Sequence, residues 1–193
     1  MKNIVITSCG IIKKDFKDKF YKIINKDELS KKKVLYITTA ADGEDGDKSW
    51  MENEYNTILD LGVKKDNIYE YKIGDKINIK DFDIMYMMGG NTFYLLDQIR
   101  KYNFDKVIKK FIYNNKIYIG SSAGSIILGN SIKYTLGFDE NNVNMTDFRG
   151  LKLVDGIIIP HANRKEELIN SIKDKEEKIY LLYDGDGIIM STK

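Results

Sequence analysis

The sequence predicts an α/β protein in which a mostly parallel sheet is flanked by helices on both faces, giving three layers. Short runs rich in β-branched and aromatic residues alternate along the chain with amphipathic stretches whose apolar residues recur at helical spacing. The run "FDIMYMM" (82–88) is almost continuously apolar, as expected of a strand buried on both faces. The 193 residues suit one domain with a substantial core, and no linker divides them, so we expect residues 1–193 to form a single domain.

The elements of the N-terminal half follow in a regular order. "NIVITS" is rich in β-branched residues and predicts a first strand, and Phe16, Phe20, Ile23 and Ile24 then recur at the spacing of a helix. The predicted strands of this half cover 3–8, 33–40, 67–73 and 82–88, and the predicted helices cover 15–26 and 50–61. The Gly- and Asp-rich "ADGEDGD" is read as a loop, and Trp50 as a residue that packs the following helix.

The C-terminal half continues the alternation. Apolar residues at helical spacing predict helices over 92–102, 104–115, 122–128 and 164–175. Strands are predicted over 116–120, within 150–161, and as two strands within 178–192 around a tight Asp-Gly turn. Strands that alternate with helices pair in parallel through right-handed crossovers, which places binding sites at the carboxyl ends of the strands.

Composition and charge narrow the classes of function. The 31 basic and 29 acidic residues give a net charge of +2, which offers no argument for a nucleic-acid or anionic-membrane partner. Cys9 is the single cysteine, so no internal disulfide can form, and we expect it to be a buried or half-buried structural residue. No apolar run is long enough for a secretory signal or a membrane span, and the expected location is cytoplasmic.

The stretch "Gly120-Ser121-Ser122-Ala123-Gly124" fits the pattern G-x-S-x-G between a strand and a helix. In a nucleophile elbow the serine occupies a strained turn that only small neighbours permit, and the next N–H, here that of Ala123, faces a forming oxyanion. The alternative is an ordinary glycine turn in which the serine caps a helix.

A nucleophilic serine needs a base, and His161 is the only histidine in the chain. It follows the only proline, Pro160, at the end of a predicted strand, which places it at the same edge of the sheet as Ser122. A third residue must hold the imidazole in its useful tautomer, and the sequence leaves the choice open among four acids between these two residues: Asp139, Glu140, Asp147 and Asp155.

A second strand-to-helix turn, "Met88-Gly89-Gly90-Asn91-Thr92-Phe93", can present backbone N–H groups to an anion. We expect Gly89 or Gly90 to supply a second oxyanion donor, although Asn91 or Thr92 could simply cap the next helix. Clustered acids in "DGEDGDKSWMENEY" and "YDGDG" do not match a calcium-binding loop, and one histidine and one cysteine make a zinc site improbable.

Together, "MMGGNTFYLLDQI", "YIGSSAGSIILGN" and "IIIPH" resemble the peptidase E and cyanophycinase family of serine peptidases. The resemblance implies a class I glutamine amidotransferase-like fold, with Ser122 as nucleophile and His161 as general base. It also implies that Asp139, in "LGFDENN", is the acid, and that Gly89 or Gly90 and Ala123 form the oxyanion hole. Asn91 is expected among the residues that bind the oxyanion or the substrate. Peptidase E prefers short peptides that begin with aspartate, and Arg164 is similar in position to the arginine that reads that side chain.

The resemblance implies a small peptide as substrate, no metal or organic cofactor, and a monomer or homodimer. Two alternatives stay open. The chain could be an esterase or a cyanophycinase-like hydrolase, or it could be a noncatalytic binding or sensing module on the same scaffold.

Overall fold

The computed structural model describes residues 2–174 and 176–192 and contains eight strands within them. The strands are β1 (Lys2–Thr7), β2 (Val34–Ile37), β3 (Ile68–Tyr71), β4 (Ile84–Met87), β5 (Ile117–Ser121), β6 (Ile157–Pro160), β7 (Ile179–Leu182) and β8 (Gly187–Thr192). The α-helices are α1 (Lys14–Phe20), α2 (Lys26–Leu29), α3 (Trp50–Asp60), α4 (Thr92–Lys101), α5 (Phe104–Tyr113), α6 (Ala123–Ile126) and α7 (Glu166–Ile172).

Six strands form the main sheet in the order β3-β2-β4-β5-β1-β8, and all pair in parallel except β8, which runs antiparallel to β1. The first strand of the chain therefore lies between the fifth and the last. Strands β6 and β7 form a separate parallel pair. The predicted α/β class with a mostly parallel sheet is confirmed.

The two faces of the sheet are covered by different helices, as the alternation of side chains in a strand requires. On one face, Tyr118 and its neighbours pack against apolar residues of α4 and α5. On the other face, Ile117 and Ile119 of the same strand belong to a cluster with residues of α1 and α3. Trp50 packs at the rim of this second cluster, as its sequence context predicts.

Two predicted helices differ from those observed. The stretch 15–26 is not one helix, because α1 ends at Phe20 and the Asn25 side chain caps α2 by accepting from Asp27 N at 3.0 Å. The predicted helix over 164–175 is confined to α7, and Lys175 lies outside the described residues.

The two strands around the Asp-Gly turn do not form a hairpin. Strand β7 pairs with β6, whereas β8 pairs with β1, so the chain passes from the small sheet to the main sheet in residues 183–186. In the described part of the chain, no helix combines the length and the apolar character needed to cross a membrane.

Candidate active site

Four strands deliver polar or glycine residues to one place at their carboxyl ends. Ser8 follows β1, Gly89 lies two residues beyond β4, Ser122 follows β5 and His161 follows β6. A Cβ built on Gly89 would lie 3.2 Å from Ser122 Cβ, and the Ser8 hydroxyl accepts a hydrogen bond from His161 N at 2.9 Å. The predicted meeting of strand ends is therefore present.

Ser122 occupies the sharp turn between β5 and α6 with φ 45° and ψ −110°. A positive φ in a non-glycine residue is strained and persists only where the surroundings enforce it. A Cβ on Gly120 would lie 2.5 Å from Gly124 O, and one on Gly124 would overlap Met87 O, so both positions require glycine. The strand, the strained serine and the small neighbours match a nucleophile elbow.

Ser125, one turn into α6, anchors this elbow to β1. Its hydroxyl accepts from Thr7 N at 2.9 Å and lies 2.9 Å from Thr7 O and 2.8 Å from Gly120 O. Thr7 Oγ1 donates to Gly120 O at 2.8 Å. All these groups are buried, so the bonds fix the strained turn from below.

His161 lies beside Ser122, with Nε2 3.2 Å from Ser122 Oγ. Its backbone adopts the left-handed conformation at φ 54°, and its N–H is held by Ser8 Oγ. Because Pro160 ends β6 directly before it, the imidazole leaves the small sheet towards the elbow of the main sheet. The expected pairing of this serine with this histidine is present.

The carboxylate beside the imidazole belongs to Asp184, in the turn between β7 and β8. Asp184 Oδ1 lies 2.5 Å from His161 Nδ1 and accepts from the Ser8 hydroxyl at 3.2 Å. Its Oδ2 accepts from Asn163 Nδ2 at 2.9 Å and from the Arg164 guanidinium at 3.0 Å. Partial burial raises the pKa of Asp184, but the hydrogen bonds from Asn163 and His161 outweigh it and lower the pKa to about 2.

Asp139 does not occupy this position, which corrects the sequence-based assignment. Asp139 Oδ2 accepts from Thr92 N at 2.8 Å, so its charge satisfies an N–H at the start of α4. The other three acids do not bond to His161 either. The carboxylate of Asp147 pairs with Arg149 at 2.6 Å and that of Asp155 accepts from Asn130, whereas Glu140 binds Asn91 Nδ2 through its backbone carbonyl.

Two partners of His161 were missed in the sequence. Asp184 lies in "YDGDG", which the sequence predicts to be a tight turn between two strands and not a calcium-binding loop, and Ser8 lies in "TSCG" at the end of the first strand. Ser8 directly follows β1, and one residue separates Asp184 from the end of β7. A position just beyond the end of a strand is the sequence signal that also marks Ser122 and His161. Cys9, next to Ser8, is half-buried and accepts from Gly185 N at 3.2 Å, consistent with a structural residue.

The glycine turn after β4 provides one free N–H rather than two. Gly89 N donates to both carboxyl oxygens of Glu54 at 3.3 Å, which removes it as an oxyanion donor. In the part of the chain that the structure describes, Gly90 N and Ala123 N have no acceptor. Of the two glycines, only Gly90 therefore keeps an N–H that an oxyanion could use, as Ala123 does at the start of α6.

Glu54 is buried on α3 beneath this turn, with the Tyr86 hydroxyl 3.3 Å from its Oε1. Burial raises the pKa of Glu54, against hydrogen bonds from Ser121, Gly89 and Tyr86 that lower it. Nothing in the local pattern singles out Glu54, because a glutamate on a helix is usually exposed.

Asn91 has a structural role. Its Oδ1 accepts from Tyr94 N at 2.9 Å as the cap of α4, and its Nδ2 donates to Glu140 O at 2.8 Å. Since both ends of the amide are engaged and the residue is buried, Asn91 does not present its side chain to a substrate, contrary to the expectation from sequence.

A cleft of about 400 Å³ is lined by Phe138 and residues 163–168. Two of its lining residues, Asn163 and Arg164, donate hydrogen bonds to Asp184. Lys165 is buried to 8% exposure with its ammonium 4.5 Å from the Phe138 ring centroid, and no carboxylate of the described residues lies within 4.0 Å of it. Burial lowers the pKa of Lys165, with Asp139 acting in the opposite direction.

The arrangement suits acyl transfer. The hydroxyl on the strained turn faces one nitrogen of the imidazole, and a carboxylate lies against the other ring nitrogen. Within the described residues, unpaired N–H groups belong to the serine turn and to the glycine turn that packs against it. Within residues 2–174 and 176–192, no group of three or more His, Cys, Asp or Glu side chains is placed to hold a metal ion.

Comparison with known proteins supports this chemistry. The family model "Peptidase family S51" matches residues 4–193. The chain belongs to peptidase family S51. It is accordingly a serine peptidase with the three-layer α/β fold expected from the resemblance to peptidase E.

Two similar proteins and one solved structure illustrate the similarity. An uncharacterised peptidase of Listeria monocytogenes, Lmo0363, is 32% identical over 197 residues, which cover 98% of this chain and 89% of that protein. Peptidase E of Haemophilus influenzae is 33% identical over 139 residues, covering 69% of this chain and 61% of that protein. A 1.5 Å crystal structure of a candidate peptidase E from Listeria monocytogenes superposes with a TM-score of 0.81 at 30% identity, covering 98% of this chain and 94% of that one.

Proposed function

We propose that this S51 peptidase hydrolyses short peptides with Ser122 as nucleophile, His161 as general base and Asp184 as the group that orients the imidazole. The observation that carries the proposal is the continuous path from Ser122 Oγ to His161 Nε2 at 3.2 Å and from His161 Nδ1 to Asp184 Oδ1 at 2.5 Å. Asp184 thereby replaces Asp139 as the third member.

The reaction follows from these positions. With its proton on Nδ1 and facing Asp184, His161 offers the Nε2 lone pair to the Ser122 hydroxyl. Ser122 Oγ attacks the scissile carbonyl carbon as its proton passes to Nε2, and the imidazolium is stabilised by the Asp184 carboxylate. Nε2 then returns the proton to the leaving amine, which leaves an acyl-enzyme. Water, activated by the same imidazole, attacks the ester and frees the serine.

The negative oxygen of each tetrahedral intermediate would lie between Gly90 N–H and Ala123 N–H. Ala123 is the first residue of α6, where unpaired N–H groups face the end of the helix. A donor of this kind commonly contributes about 10²- to 10³-fold to kcat.

Ser122→Ala tests the proposal directly. We expect peptide hydrolysis and labelling by a fluorophosphonate probe to be lost, with the thermal midpoint nearly unchanged, because the hydroxyl accounts for little of the packing. Ser171→Ala on the exposed face of α7 is the matched control and should label like the parent. An unlabelled parent protein would instead favour the noncatalytic binding module.

For the substrate, we propose short peptides with an N-terminal aspartate, with Arg164 or Lys165 meeting the acidic side chain. Arg164 is the residue that the resemblance implies, but its guanidinium is already bonded to Asp184. Lys165 is a buried cation without a close carboxylate in the described chain, and it lines the same cleft as Asn163 and Arg164, the two residues that bond to Asp184. A buried charge of this kind is costly unless a counterion arrives, which favours Lys165.

Kinetics of two variants on aspartyl and neutral dipeptides separate these roles. Lys165→Met should raise KM for Asp-leading dipeptides and leave neutral ones little changed. Arg164→Met should lower kcat for both, because it perturbs Asp184. Equal kinetics on the two substrate types in the parent would remove the aspartyl preference, and faster cleavage of esters or of cyanophycin-like polymers would point to those hydrolases.

A further inference from the structure

Glu54 is a buried acid that the reaction above does not use, although it lies directly behind the elbow. It is 8% exposed, and a Cβ on Gly89 would lie 3.2 Å from Ser122 Cβ and 3.5 Å from Glu54 Oε2. Only the glycine turn therefore separates this carboxyl from the proposed nucleophile. Its two oxygens share the Gly89 N–H, and Tyr86 holds the carboxyl from the side of β4.

The glycine turn is held at both ends and free in the middle. Glu54 binds the N–H of Gly89, and Ala40 O accepts the N–H of Asn91 at 3.0 Å. Gly90 has φ +126° and fits so closely against Ala40 that a Cβ there would lie 2.5 Å from its carbonyl carbon. The Gly90 N–H, between the two anchored groups, has no acceptor in the described chain.

We propose that Glu54 is a positioning residue for the oxyanion hole: by holding Gly89 N–H it fixes the following peptide so that Gly90 N–H faces the oxygen that becomes negative at Ser122. The inference rests on the proposed function, since it concerns the same site. It assigns to a residue of α3 a part in a reaction whose other groups all come from the ends of strands.

This positioning role requires that a side-chain oxygen of residue 54 extends far enough to accept from Gly89 N, and it does not require a negative charge. A fixed negative charge behind the hole would oppose the oxyanion, so ionisation of Glu54 offers nothing to the reaction. Glutamine has the same length, and its Oε1 can accept from Gly89 N while its amide donates to the Tyr86 hydroxyl. Aspartate keeps the acid but withdraws it by about 1.5 Å, one carbon–carbon bond.

Glu54→Asp and Glu54→Gln therefore distinguish the two explanations: if the length of the side chain matters, only Glu54→Asp is impaired, and if its charge matters, only Glu54→Gln is impaired. The rate of labelling of the purified protein by a fluorophosphonate is measured against probe concentration, which separates the maximal rate from the half-saturating concentration. Glu54→Asp should lower the maximal rate about 10- to 100-fold, because a misplaced donor costs rate rather than binding. Glu54→Gln should stay within about threefold of the parent, and the half-saturating concentration should change little in both.

The controls are Glu52→Asp and Glu52→Gln, at an exposed position on the same helix, which should label like the parent. An active Glu54→Asp, an inactive Glu54→Gln, or a change confined to the half-saturating concentration overturns the positioning role and leaves the proposed function standing. Labelling that persists in Ser122→Ala, or an unlabelled parent, overturns the proposed function and this inference with it.

Discussion

Replacing Asp184 by asparagine should inactivate the enzyme through the tautomer of His161. Two donors, Asn163 Nδ2 at 2.9 Å and the Arg164 guanidinium at 3.0 Å, face the Oδ2 position. They require an acceptor there, so the amide oxygen takes that place and the amide NH₂ faces His161 Nδ1. Nδ1 must then accept, its proton moves to Nε2, and Nε2 can no longer take the proton of Ser122.

The expected loss is about 10⁴-fold in kcat, the usual cost of the wrong tautomer in a serine triad. At 1.36 kcal/mol for each tenfold change, this is about 5 kcal/mol of transition-state stabilisation. The assay is the maximal rate of fluorophosphonate labelling, followed by dipeptide hydrolysis, with the thermal midpoint measured in parallel. Asp139→Asn is the comparison, because the family resemblance implies Asp139 as the acid and the structure places it at Thr92 N.

A second variant tests the reason for the loss as well as its size. Asn163→Ala and Arg164→Met remove the two donors that fix the amide, so in their presence the Asp184→Asn amide can turn its oxygen to His161. We expect this triple variant to label faster than Asp184→Asn alone. The reasoning is refuted if Asp184→Asn stays within about tenfold of the parent, or if Asp139→Asn loses more activity than Asp184→Asn.

Three further results are expected for stability. Ser125→Ala leaves the buried Thr7 N–H without an acceptor and should cost about 1–3 kcal/mol in urea unfolding; an unchanged midpoint would contradict the anchoring role. Gly124→Ala places a methyl group on Met87 O and should cost at least about 1–3 kcal/mol by the same measurement. Because the pKa of Glu54 is raised, folding favours its neutral acid form. The parent protein therefore has its full free energy of unfolding below pH 4.5, the ordinary pKa, and loses part of it as the pH rises through the raised pKa. Glu54→Gln cannot ionise, so its stability relative to the parent should increase with rising pH. A pH-independent difference between these two proteins would contradict the raised pKa.

Local pattern was sufficient to predict the turn at Ser122 and its pairing with His161. Strand, small residues and helix in sequence define the turn, and the only histidine directly follows a predicted strand. That strand was expected at the same edge of one sheet, but β6 belongs to the small sheet. The sheet order could not be read in this way, because the last strand pairs with the first across most of the chain. Such long-range pairing depends on which edge is left uncovered, and no local spacing encodes it.

The same long-range pairing explains why Asp184 was missed. An Asp-Gly turn between two strands is the usual mark of a hairpin, and in a hairpin this turn would lie away from the strand ends that bear Ser122 and His161. Because β7 and β8 belong to different sheets, the turn crosses between them beside the carboxyl end of β6. The resemblance implied Asp139, as the best match to an acid between the serine and the histidine, but order along the chain carries no information about position in a triad.

The division of the proposed triad between the sheets has a mechanical consequence. Ser122 follows a strand of the main sheet, His161 follows a strand of the small sheet, and Asp184 lies on the segment that joins the two. Ser8, at the end of β1, binds both His161 N and Asp184 Oδ1, so the main sheet holds the imidazole and the acid as well as the serine. The 3.2 Å distance between Ser122 Oγ and His161 Nε2 therefore depends on how the small sheet packs against the main sheet. The Ser8 hydroxyl links the main sheet to both His161 and Asp184.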